Sequence, residues 1–170
     1  MILDALAASD CETVRHWRNA DRMGLRTPYM LSQQMQADFY QRVVSDRRSP
    51  HRYYAVRDDN GIMVAMVGLT DIEWENGHAE ISLIVDPAQT GHGIGAASVR
   101  LILEEAFHRM RLVTVFGEVY DHNPARAFWS KLLKLHSKPT HSVKLPRRKF
   151  WDGQLHGSIL FWFTTEAYHA

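Results

Sequence analysis

Cysteine is almost missing from this chain. Cys11 stands alone among 170 residues, so no intrachain disulfide can form and a zinc site built from several thiolates is excluded. Long hydrophobic runs are missing as well. The opening residues Met1-Ile2-Leu3-Asp4-Ala5 have neither the basic flank nor the apolar stretch of a signal peptide, and no segment approaches the roughly 20 apolar residues that cross a bilayer. The expectation is a soluble, cytoplasmic protein without membrane contact. There is no HExxH motif and no clustered carboxylate, so His136, His141 and His156 read as surface or core histidines and no metal is expected. Internal repeats and low-complexity tracts are also absent. A chain of this length that is 45% hydrophobic and 23% charged suits one domain over residues 1–170.

Acid is missing from one region. Between Asp121 and Asp152 there is no carboxylate, while Arg126, Lys131, Lys134, Lys138, Lys144, Arg147, Arg148 and Lys149 all fall there. Such a segment suits an anionic partner, and a solvated basic face has the same pattern.

Along the chain, a short apolar opening leads to Ser9-Asp10-Cys11-Glu12, which fits a capping box and predicts a helix to about Asn19. Residues 20–31 read as a loop. Ser32 is placed to cap a second helix to about Ser45, with Phe39, Val43 and Val44 inward. Strands are expected at 52–57, 62–73 and 78–85, joined by Asp58-Asp59-Asn60-Gly61 and Glu75-Asn76-Gly77, giving an antiparallel meander. The linker Asp86-Pro87-Ala88-Gln89-Thr90 then leads into Gly91-His92-Gly93-Ile94-Gly95 and a helix to about Met110. A strand at 112–119 follows, then Asn123-Pro124 opening a helix to about Leu135, the basic segment, the turn Trp151-Asp152-Gly153 and a last strand at 157–163.

The glycines carry the chemistry. At a helix start, unpaired backbone N–H groups and the positive end of the dipole attract phosphate, and glycine permits close approach. The spacing Gly91-x-Gly93-x-x-Ala96 also satisfies a dinucleotide-binding fingerprint, with Glu118 where a ribose-binding acid is expected. Against that reading, a five-residue linker separates strand from glycines, about 50 residues remain after the next strand, and antiparallel strands precede the motif.

Glu80-Ile-Ser-Leu-Ile-Val-Asp-Pro, then Thr90-Gly-His-Gly-Ile-Gly-Ala, then Asn123 at the start of a helix, resembles the GNAT superfamily of acyl-CoA N-acyltransferases. The resemblance covers most of the chain. It implies an α+β fold: a mixed, mostly antiparallel twisted sheet of about six to seven strands, flanked by helices and splayed between strands four and five. It implies acetyl-CoA as co-substrate, with Leu83 and Val85 pairing with pantetheine through their backbone, Gly91, His92, Gly93, Ile94, Gly95 and Ala96 holding pyrophosphate, and Asn123 contacting the cofactor. Thr90 stands where the family usually has Gln or Arg. Trp17-Arg18-Asn19, Leu25-Arg26, Met30 and Asp152-Gly153-Gln154-Leu155-His156-Gly157 resemble the branch of ribosomal-protein N-terminal acetyltransferases and nucleotide-linked aminosugar N-acetyltransferases of the pseudaminic acid pathway. That branch usually has an acidic residue in place of Gly157.

Making an amide from a thioester requires a neutral amine, a stabilised oxyanion and a leaving thiolate. Alkylamines titrate near about 10, so a base or water chain must take a proton. Glu118 and Glu80, on the two strands expected to part, are the candidate bases, with Glu118 ranked first; a structural ion pair is the competing role for each. Relatives carry a tyrosine seven residues beyond the asparagine to protonate the thiolate, and here that position is Ser130. Ser130, Tyr120 or His122 could hold a relaying water. Arg18, Asn19, Arg26 and Trp74 belong to loops that cover the acceptor in relatives, where arginine suits phosphate or carboxylate; loop anchoring competes.

The leading expectation is acetylation of a small amine, such as a nucleotide-linked aminosugar. Alternatives are acetylation of a protein N-terminus or lysine, and nucleic-acid engagement or acetylation of a modified base through the 126–149 segment, where Arg147-Arg148-Lys149-Phe150-Trp151 interleaves charge with aromatics. An exposed last strand could pair in a homodimer.

Overall fold

The computed structural model describes residues 1–20, 27, 29–135 and 141–168. The expected Leu25-Arg26 contact loop and the segment around His136 and Lys138 lie outside the described residues. The elements are β1 (Ile2–Ala5), α1 (Ala8–Ala20), α2 (Gln33–Phe39, extended by a π-helical turn over Tyr40–Val44), β2 (Arg52–Arg57), β3 (Met63–Glu73), β4 (His78–Val85), α3 (Ile94–Glu104, extended by a π turn over Glu105–Arg109), β5 (Thr114–Tyr120), α4 (Arg126–Leu135), β6 (His141–Trp151), β7 (Gln154–Thr164) and α5 (Thr165–Tyr168). One seven-stranded sheet runs β1-β2-β3-β4-β5-β7-β6, with β4 and β5 as its parallel pair and the others antiparallel. No helix among the described residues is long and apolar enough to cross a membrane.

Strand alternation divides the side chains between two faces. Ala65, Val67, Leu69, Ala79, Ile81, Val115, Val119, Phe161 and Phe163 point to the face covered by α3 and α4, where Val99, Ile102, Leu103, Trp129, Leu132 and Leu133 complete the main core. Ala55, Met63 and Met66 point the other way, under Cys11 and Val14 of α1. Gly117 lies on the α3/α4 face, where a Cβ would stand 2.6 Å from the Phe161 ring and 2.9 Å from Ile81. A larger residue there would push β5 away from its neighbours.

Several expectations need correction. The first helix is capped at Ala7: Asp10 accepts from the Ala7 N–H at 2.9 Å, while Glu12 pairs with Arg15. Asp10 wins because its second task, a 2.7 Å ion pair with Arg57 of β2, is a long-range contact. The apolar opening is an edge strand, and the basic segment supplies β6, whose ladder to β7 starts at a hairpin with Asp152 at φ 48° and Gly153 at φ 75°. β7 is therefore paired on both sides, so the strand free to extend the sheet at that end is β6, not the last strand. The Ser32 cap forms as expected, its side chain accepting from the Met35 N–H at 3.1 Å.

Candidate functional site

β4 and β5 run side by side only over His78↔Thr114, Ala79↔Val115 and Glu80↔Phe116. Beyond Glu80, β4 continues to Val85 paired to β3 alone, and β5 continues to Tyr120 paired to β7 alone. The sheet is thus split, with the backbone of residues 81–85, including Leu83 and Val85, facing the gap on its β5 side. Leu83 and Val85 pack their side chains against the main core.

The N-terminus of α3 stands beside this gap. Asp86 caps the short turn Pro87–Gln89 by accepting from the Ala88 N–H, and His92 Nδ1 lies 3.3 Å from the Gln89 carbonyl, which tightens the approach. Gly91 and Gly93 have φ of 85° and 81°, and nothing lies within 4 Å of where a Cβ would be on either. Gly93 is the cap residue, makes no side-chain cap bond, and α3 has no acid in its first turn. The N–H groups of Ile94, Gly95 and Ala96 are accordingly left to an external acceptor. Gly95 seats the helix against Phe128 of α4 and Leu83. An open, positively polarised cradle of this kind fits a pyrophosphate. Asn123 stands in the turn before α4, which starts at Arg126 and not at the expected Asn123-Pro124, and its side chain accepts from the Ala125 N–H at 2.8 Å.

The opposite face of the split, toward α1 and α2, is polar. Glu80 stands at the fork, 9% exposed. Glu118, two residues beyond Phe116 on the same face of β5, accepts from Ser158 Oγ at 2.5 Å and from Arg148 Nε at 3.0 Å. Arg18 of α1 donates to Thr27 Oγ1 at 2.8 Å, and its Nε is buried without a hydrogen-bond partner among the described residues. Burial pushes the Arg18 guanidinium below its ordinary value, and Tyr53 and Tyr29 oppose the shift.

Asn19 clamps Leu31, donating to its carbonyl at 2.9 Å and accepting from its N–H at 2.8 Å, so both ends of that amide anchor the loop. Trp74 is exposed on the β3–β4 turn. Ser130 is half-buried on α4. Tyr120 ends β5 with its ring stacked on His122 at 5.9 Å and Lys149 Nζ 4.8 Å above it. Two partners of Glu118 escaped the sequence reading: Ser158, and Arg148 as a contact within the site. The available signal was Pro146 inside a basic strand, which marks a bulge able to redirect its neighbours.

Among solved structures, the spermidine N-acetyltransferase from Vibrio cholerae in complex with CoA and spermine is similar at a TM-score of 0.84 and 20% identity, covering 99% of this chain and 97% of that one. A dodecameric structure of the Vibrio cholerae enzyme in an intermediate state gives a TM-score of 0.81 at 20% identity, over 98% and 94% of the two chains. These likenesses bear on the fold. No curated protein matches the sequence. The model of the acetyltransferase (GNAT) domain matches residues 1–128, which takes in β1 through the split and the glycine cradle to the start of α4. On that match, with the split sheet and cradle present, the chain belongs to the GNAT acetyltransferase family and is an acyl-CoA-dependent N-acetyltransferase that uses acetyl-CoA.

Proposed function

We propose that this N-acetyltransferase acts on the primary amine of a small anionic acceptor, of which a nucleotide-linked aminosugar is one example. The observation that carries this reading is Arg18: a guanidinium on the α1/α2 side of the sheet, near Tyr53 of β2, with its Nε buried and without a hydrogen-bond partner among the described residues. A buried donor of that kind is costly unless something accepts from it, and a phosphate or carboxylate is the matching acceptor.

In this reading Gly91, His92, Gly93, Ile94, Gly95 and Ala96 hold the pyrophosphate, the backbone of Leu83 and Val85 lines the gap for pantetheine, and Asn123 borders it. When bound, acetyl-CoA supplies the acyl thioester. Glu118 takes the ammonium proton, and Glu80 at the fork is the alternative base. Both project from the acceptor face, so the amine approaches the gap from the side opposite the cradle. Ser130 or Tyr120 positions water to protonate the leaving thiolate, whose ordinary pKa of about 8.5 makes a strong acid unnecessary.

A cationic acceptor is the second reading, favoured by the two carboxylates on one face and by the similarity in fold to a spermidine N-acetyltransferase solved with spermine. Thiol release from acetyl-CoA, measured across UDP-linked aminosugars, spermidine and N-terminal peptides, separates the two. Turnover of aminosugars at least about tenfold above spermidine supports the anionic reading, and the reverse order sinks it. Nucleic acid would show binding that falls steeply with salt.

A further inference from the structure

The ladder between β6 and β7 runs as far as Leu145↔Ser158 and resumes at Lys149↔His156. Pro146, Arg147 and Arg148 therefore stand opposite Gly157 alone. Pro146 has no N–H to give the ladder, and Arg147 is held at φ 52°, a conformation unfavourable to a non-glycine residue. The bulge deals the two arginines to different places. Arg147 lines a pocket of about 400 Å³ with Asp121, Arg126 and Lys144. Arg148 reaches Glu118, where its Nε and the Ser158 hydroxyl meet the same oxygen, Oε1.

The two members of this pair are unequally held. The Glu118 side chain is 10% exposed and the Arg148 side chain 50%. Glu118 sits on a strand inside the sheet, paired there to β7 and open to the gap on its β4 side, whereas Arg148 rides on a bulge of an edge strand. The guanidinium is thus the movable partner, since half of it is already solvated.

Two donors, the guanidinium and the Ser158 hydroxyl, already hold Oε1, so an ammonium that gives its proton to this oxygen displaces the guanidinium. A purely cationic acceptor would force two cations onto one carboxylate and leave Arg148 beside a like charge. An acceptor that carries its own anion avoids this, because the displaced arginine gains a new partner and the site stays neutral.

We infer that the Glu118–Arg148 pair is a stand-in for a zwitterionic acceptor: the substrate ammonium replaces Arg148 on Glu118, and a phosphate or carboxylate of the same molecule takes Arg148. This rests on the reading of Glu118 as the base and extends it by naming the charge pattern of the substrate and its specificity residue. In the ensuing step one ammonium proton passes to Glu118, the amine nitrogen bonds to the thioester carbon, the C–S bond breaks, and the second proton that the nitrogen sheds to become a neutral amide reaches the thiolate through water. Glu118 then returns its proton to solvent.

The test uses matched amines on the full-length protein: 3-aminopropyl phosphate, β-alanine, 3-aminopropanol and spermine. Binding to the CoA-loaded protein is measured by calorimetry and turnover by thiol release, for wild type, Arg148→Gln, Arg148→Glu and Glu118→Gln. Wild type should bind 3-aminopropyl phosphate or β-alanine about tenfold or more tightly than 3-aminopropanol. Which of the two anions gains more identifies phosphate or carboxylate as the cognate group. Arg148→Gln should shrink that preference to about twofold, Arg148→Glu should turn it toward spermine, and CoA affinity should be unchanged in both. A preference that survives Arg148→Gln, or wild type binding neither anionic probe, overturns the inference. If Glu118→Gln abolishes turnover while Arg148→Gln leaves the preference intact, the base stands and only the exchange falls. Full turnover in Glu118→Gln removes both.

Discussion

The two faces of the split sheet are built from different materials. On the α3/α4 face, one continuous apolar cluster runs from Val56 to Phe163 and supports a site made of main chain: glycine dihedrals, free N–H groups and an unpaired strand edge. On the α1/α2 face, a smaller cluster around Leu6, Cys11, Val14 and Met66 stops short of β5, and from there the site is made of side chains, Glu80, Glu118, Ser158 and Arg148. A backbone site on a rigid floor either forms or does not. A site of charged side chains on thinner support can be retuned one residue at a time.

The sharpest break of that comparison is Gly93→Glu. Its φ of 81° strains any non-glycine residue by about 1–2 kcal/mol, and the new carboxylate stands where the helix start attracts anions. Acetyl-CoA affinity measured by calorimetry should fall by about 100-fold or more, with the fold kept. Retained affinity would show that the cradle does not hold the pyrophosphate. Glu118→Gln should do the complementary thing, lowering kcat by about 100-fold while acetyl-CoA binds as before. A loss of acetyl-CoA affinity in that variant would mean that the two faces are not independent.

Gly117→Ala asks how firmly the floor is packed. Its methyl would meet Phe161 at 2.6 Å and Ile81 at 2.9 Å, a ring and a branched chain within the core, so urea unfolding should show a loss of about 1–3 kcal/mol. An unchanged midpoint would mean that β5 can shift without strain, and the gap beside it would then be soft.

What could be read from the sequence follows the same division. The glycine cradle and strands β2 to β5 depend on residues close together in the chain, so their dihedral and alternation requirements are written locally: Gly91 and Gly93 at positive φ, and β2 and β4 with the expected bounds; the split, between strands 36 residues apart in register, is expected only from the family resemblance. The acceptor face depends on partners far apart. Arg148 and Ser158 reach Glu118 across 30 and 40 residues, through a bulge whose register only the folded hairpin fixes. β6 hid because a run of lysine and arginine reads as a solvated loop, although an edge strand tolerates charge well. For Asn19 the sequence left acceptor contact and loop anchoring open, and it could not name the anchor, since the Leu31 backbone it clamps is adjacent only in three dimensions.

The Asp10 cap shows the same conflict on a smaller scale. Local spacing favoured Ser9 with Glu12, and the fold chose Ala7 with Asp10 because Asp10 also meets Arg57. Asp10→Ala should cost about 1–2 kcal/mol in thermal or urea unfolding, whereas Ser9→Ala should stay within about 0.5 kcal/mol. Equal losses would restore the sequence-local cap.

The smallest effect comes from the lone cysteine beneath α1. Burial, reinforced by the negative charge of Asp10 and partly offset by the neighbouring Gln36 amide, pushes the Cys11 thiol up to about 11. In the unfolded chain the thiol ionises near about 8.5. Below that pH both states keep the proton and Cys11 contributes no pH dependence. Above it the unfolded state alone releases the proton, so stability falls as pH rises from about 8.5 toward the folded value. Tyr54, also raised chiefly by burial, adds a decline of the same sign at somewhat higher pH. The difference between wild type and Cys11→Ala isolates the thiol: urea midpoints should drop more between pH 7 and pH 10 in wild type than in the variant. Parallel curves would mean that the thiol ionises as readily folded as unfolded, and that the thin cluster under α1 admits enough water to solvate a thiolate. The α1/α2 face would then be softer than its packing indicates, and the contrast with the α3/α4 face correspondingly larger.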